Sequence, residues 1–124
     1  MPENTLFERL GGKDAVEIAV TKFYDRILAD PDLIPFFQET DMKKQMGKQR
    51  LFMTYAFGGL PNYDGESLER AHEKSRKQGL NESHFNKVAG HLVDTLHSIN
   101  VPPSMIDEVI AIVAPTKEAI IGKQ

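Results

Sequence analysis

The sequence predicts an all-α protein, and three observations carry that expectation. Apolar residues recur at spacings of three and four along most of the chain, alternating β-branched runs are absent, and glycine or proline falls where the apolar stripes stop. The chain has 124 residues, of which 40% are hydrophobic and 27% charged. That is the size of one compact domain, residues 1–124, so any site must share the one core.

Five main segments follow in order. Gly11-Gly12 precedes Asp14, with Glu17 three residues on, the pattern of a capping box at a helix start. The helix predicted from there runs to about Asp30, with Val16, Val20, Phe23, Tyr24 and Ile27 on its inward stripe. Pro31 stops it, because a residue before proline avoids the helical region. After a short turn through Ile34, Phe36 and Phe37, Asp41 is placed to cap a second long helix from Met42 to about Phe57, ended by Gly58-Gly59. Residues 60–65 are turn chemistry and lead into a short helix from Glu66 to Lys77. Asn81 caps a helix from Glu82 to Ile99, whose stripe is Phe85, Val88, Leu92, Leu96 and Ile99. Pro102-Pro103-Ser104, with Asp107 three residues after the serine, opens a last helix that ends near Gly122 and is bent or interrupted by Pro115.

Composition narrows the function. A formal net charge of -3 with no basic stripe argues against nucleic acid or an anionic membrane surface as partner. No apolar run reaches the roughly 20 residues of a membrane span, and the first ten residues lack the order of a secretory signal, so a soluble, cytoplasmic protein is expected. There is no cysteine, which excludes disulfides, iron–sulfur clusters, a thiolate haem ligand and a thiol nucleophile.

Two stretches look unlike ordinary helix faces. The short helix around His72 offers only Leu68, Ala71 and His72 inward, amid Glu66, Glu69, Arg70, Glu73, Lys74 and Arg76. Those small apolar groups supply a few kcal/mol of burial at most, so a metal bond through His72 would explain how the helix is held. A core histidine hydrogen-bonded to a neighbour would also satisfy the pattern, and the residues leave both open. The second long helix puts Gln45, Lys48, Gln49 and Phe52 at i, i+3, i+4 and i+7, on one face. A solvated face is the ordinary reading of such residues. Tyr24, however, sits on a buried stripe with a hydroxyl that must find a partner, and a pocket between Tyr24 and the two glutamines would account for both oddities.

Taken in order, Phe23-Tyr24, Phe36-Phe37, Gln45, Lys48-Gln49, Phe52, Gly58-Gly59, Tyr63-Asp64-Gly65 and Ala71-His72 resemble group I of the truncated haemoglobins. The likeness runs from Leu6 to Pro115 and includes Gly79-Leu80-Asn81, His84-Phe85 and Val101-Pro102. It implies a two-over-two helical sandwich, a shortened globin fold, around haem b. By position, His72 is then the proximal iron ligand, Tyr24 the distal tyrosine, and Gln45 and Gln49 its polar partners. Phe37 packs on the haem face, and Phe52, Tyr63, Leu68, His84, Phe85, Val88 and Leu92 line or border the pocket.

The resemblance also shows where this chain departs from some relatives. A distal histidine ligand is replaced here by Lys48, and a histidine that tethers haem covalently by Lys117, so neither bond is expected. Lys48 keeps two roles open. Its neutral amine could bind the iron, at a deprotonation cost of about 4.6 kcal/mol at neutral pH, or its ammonium could pair with a haem propionate at no such cost, which is preferred. His91 and His97 are expected at the surface or flank, without a further metal site. The implied ligands are dioxygen, nitric oxide and carbon monoxide. The implied role is dioxygenation of nitric oxide to nitrate with an unidentified reductase. A gas carrier, store or sensor, an electron-transfer haem protein with two protein ligands, and a cofactor-free helical interaction module are the competing readings.

Overall fold

A computed structural model of the chain describes residues 5–38, 40–59 and 72–122. The helices are α1 (Leu6–Leu10), α2 (Lys13–Leu28), α3 (Met42–Ala56), α4 (Glu73–Lys77), α5 (Glu82–Ser98), α6 (Pro103–Val113) and α7 (Lys117–Ile121), with 3-10 turns at Ile34–Phe37 and Ala114–Thr116. Among the described residues there is no strand. The pair α2 and α3 packs on the pair α5 and α6, mainly through α2 against α5, which makes a two-over-two sandwich.

Sequence explains most of these elements. The α2 stripe Val16, Val20, Phe23, Tyr24 and Ile27 is buried, joined by Ala19, and it meets Leu92 and Leu96 of α5 and Val109 of α6 in one core. Asp41 caps α3 by accepting from the backbone N–H groups of Lys43 and Lys44 at 3.1 and 3.3 Å. Gly58 ends α3 with φ at 87°, a left-handed geometry that costs a side-chain-bearing residue more. Pro115, as expected, breaks the last helix into α6, a 3-10 turn and α7.

Three expectations are corrected. Gly12, not Asp14, takes the N-cap position of α2, so Asp14 lies inside the first turn and acts on the helix dipole only. The supposed capping-box partner Glu17 instead forms a two-bond ion pair with Arg50 of α3, at 2.8 and 3.0 Å. Ser104 is likewise one residue inside α6, whose N-cap is Pro102. The periodicity also gave no sign of α1, which Thr5 caps and which is fastened to the end of α3 by Phe7 N–H donating to the Phe57 carbonyl at 2.8 Å.

Asp30, just past α2, is buried and joins α2 to α5. Its Oδ1 accepts from the Asp32 backbone N–H at 2.9 Å and from Lys87 Nζ at 3.2 Å, while Oδ2 meets His91 Nε2 at 2.8 Å. The His91 hydrogen bond, then the Asp32 N–H and the Lys87 ammonium, lower the carboxyl to about 2 from an ordinary 3.8. A depressed folded-state value favours the fold fully above the ordinary value, and the gain disappears as pH falls through the folded one. Stability is therefore expected to hold above about pH 4 and to fall between about pH 4 and 2. Urea melts across that range should show the fall, and Asp30→Asn should flatten it while weakening the protein at neutral pH.

Candidate functional site

Between the two helix pairs lies a cavity of about 340 Å³. That volume is in the range of small-molecule and cofactor pockets. Phe23, Tyr24 and Ile27 of α2 and Gln45, Lys48, Gln49, Phe52 and Met53 of α3 contribute to its wall, with Phe36 and Phe37 from the first 3-10 turn. His72, Lys74, Ser75 and Gln78 come from the α4 segment, and Phe85, Val88, Ala89 and Leu92 from α5.

Tyr24 is 3% exposed, and its oxygen is the polar centre of the α2–α3 side. Gln45 Nε2 donates to it at 3.0 Å and Gln49 Nε2 at 3.4 Å. A phenol oxygen has two acceptor sites and one hydrogen, so these amides occupy the acceptor sites and leave the hydrogen for a third partner. Burial pushes the phenol pKa up, the two amide bonds opposing it less strongly, so Tyr24 remains a donor at neutral pH. The ring is held by Phe23 at a centroid distance of 5.4 Å and by Phe37, edge to face, at 6.0 Å.

His72 stands at the N-cap of α4, with φ at −105° and ψ at 5°, rather than inside a helix. The part of the predicted helix before it, with Leu68 and Ala71, lies outside the described residues, as does Tyr63. None of the five residues of α4 is buried. Burial of its own side chains therefore does not hold this five-residue helix.

Of the other residues singled out, Phe37, Lys48, Phe52, Phe85, Val88 and Leu92 all line the cavity. His84 does not. Its Nδ1 accepts the Asn81 backbone N–H at 3.1 Å, completing a capping box at the start of α5, and its ring meets Phe36 edge to face at 4.9 Å. Lys117 pairs with Glu82 at the surface. Sequence reasoning missed Val113, Thr116 and Ile120, which close the cavity from the C-terminal segment. Their i, i+3, i+7 spacing was a usable signal, obscured because Pro115 sits among them.

A helical sandwich whose central cavity combines one imidazole, a polar tyrosine–glutamine cluster and aromatic walls has the architecture of a haem-binding globin. The bacterial-like globin family model matches residues 5–121. The group 1 truncated haemoglobin GlbN of Synechocystis sp. is 47% identical over 110 residues, 88% of this chain and 89% of that protein. The crystal structure of the 2/2 haemoglobin of Synechococcus sp., in the cyanomet state and with covalently attached haem, superposes with a TM-score of 0.88 at 43% identity, covering 96% of this chain and 99% of that one. Chlamydomonas reinhardtii THB1 gives 0.84 at 48% identity over 98% and 100% of the two chains. This chain belongs to the bacterial-like globin family, among its group 1 truncated haemoglobins.

Membership implies a haem cofactor and the binding of diatomic gases. The cavity suits such a group: its walls are aromatic and aliphatic, one imidazole reaches it, and its polar atoms are gathered around Tyr24. Among the described residues, no helix is long and apolar enough to cross a membrane.

Proposed function

We propose that the chain binds haem b through His72 and holds dioxygen against Tyr24, Gln45 and Gln49, and that it serves to convert nitric oxide to nitrate. The reading rests on Tyr24, whose two acceptor sites are taken by glutamine amides while its hydrogen stays available in the cavity. Haem, when bound, supplies a ferrous iron that takes up a diatomic gas and shifts electron density onto it. Tyr24 donates its hydrogen to that gas. Gln45 and Gln49 fix the phenol's direction, so little reorganisation is needed when the ligand arrives.

The surrounding residues have simpler parts. Phe37, Phe52, Phe85, Val88 and Leu92 would keep water from the cofactor and pack against it. Lys48 is exposed where it meets the cavity wall, which suits pairing with a propionate better than binding iron. The covalently attached haem of the Synechococcus protein is not expected here, because Lys117 stands where some relatives have the tethering histidine. Turnover requires a reductase to return the iron to its ferrous state.

Rapid mixing of the oxygenated protein with nitric oxide tests the role. Stoichiometric nitrate formed within the mixing time, with sustained consumption when a reductase is added, is the expected result. Slow or substoichiometric nitrate would leave a gas carrier, store or sensor.

A further inference from the structure

We propose that Arg76 is a positioning residue for His72, locking the α4 segment to the C-terminal end of α7 and so setting the strength of the histidine's bond to iron. The proposal rests on the assignment of His72 as the haem ligand. Among the described residues, none of α4 is buried, and polar bonds tie it to α7. Arg76 Nη1 donates to the carbonyls of Ala119 and Ile120, at 3.1 and 3.2 Å. These carbonyls lie in the last turn of α7, where helix acceptors have no partner within the helix and the dipole favours a cation.

The receiving end of α7 is shaped for this side chain. A Cβ at Gly122 would stand 3.4 Å from Arg76 Cδ, and Gly122 itself has φ at +78°. A larger residue there would be strained by that backbone and would stand in contact with the arginine stem. The other end of α7 is held by the Lys117–Glu82 pair on α5. Thus α7 is tied at both ends, and its Ile120 lines the same cavity as His72.

The connection to His72 is direct. The backbone N–H of Arg76 donates to the His72 carbonyl at 2.9 Å, closing the turn that starts at the histidine. One residue therefore bonds to His72 through its backbone and to α7 through its side chain. Displacing the guanidinium loosens the turn's hold on α7 and, through it, the placement of the imidazole.

The test uses the haem-loaded full chain. Haem loss from the ferric protein to an excess of an apo-globin acceptor is timed, and the iron–histidine stretching band of the ferrous, gas-free protein is recorded by resonance Raman. Arg76→Ala should lose haem at least about tenfold faster, as expected for losing charge-assisted bonds, and should shift or broaden the band. Arg76→Lys, which keeps the charge without the planar fork, should fall between. Arg50→Gln, which breaks an exposed ion pair between α3 and α2, should move neither. If circular dichroism shows that Arg76→Ala does not fold, Arg76→Lys decides alone. An unmoved band and unchanged haem loss in the folded variant would overturn the proposal. His72→Ala separates the two claims: a band that survives this change removes the histidine assignment itself, whereas a band lost there but unmoved on changing Arg76 removes only the role of Arg76.

Discussion

Replacing His72 with alanine is expected to accelerate haem loss by more than about 100-fold, the largest single effect in this protein. Even partners one shell out from a metal ligand cost 10- to 100-fold in affinity when removed, and the ligand itself should cost more. Among the described residues no other imidazole lines the cavity, so none stands ready to take its place. Transfer to an excess of apo-globin, followed by visible absorbance, measures it. Free imidazole should restore much of the binding in His72→Gly, because the cavity and its aromatic walls are untouched. A protein that purified with full haem and an unaltered spectrum after His72→Ala would refute the assignment.

Tyr24→Phe is expected to speed dioxygen release by at least about tenfold. A hydrogen bond of this kind is worth roughly 0.5–1.5 kcal/mol, and the change removes the donor while also leaving two half-buried glutamine amides without the acceptor they share. Stopped-flow replacement of dioxygen by carbon monoxide gives the rate directly. Gln45→Leu should have a smaller effect, since Gln49 still orients the phenol. An unchanged release rate in Tyr24→Phe would take Tyr24 out of the ligand's surroundings.

Helices α2, α3 and α5 were legible because each carries its own period and punctuation: the stripe from Val16 to Ile27, the caps at Asp41 and Asn81, and the glycines after Phe57. The cavity cluster was legible for a related reason. Gln45 and Gln49 are one turn apart on a helix face, and a tyrosine on a buried stripe has to find a partner. Capping was less readable where two residues could serve, so Asp14 and Ser104 looked like caps and proved to lie inside their helices. Helix α1 was invisible because five residues are too few to show a period, and its fastening to Phe57 is a contact across the chain.

The sequence by itself determined the helical class, the places where helices stop, the core stripes and the likeness to truncated haemoglobins. All are properties of neighbouring residues, written in a repeat of 3.6 or in the dihedral limits of glycine and proline. Only the tertiary structure decided that Glu17 pairs with Arg50, that His84 closes a cap instead of lining the cavity, that Asp30 joins His91 and Lys87, and that Arg76 reaches the end of α7. A charged or polar side chain has many acceptable partners and no period of its own, so its choice is made by the packing of helices distant in sequence.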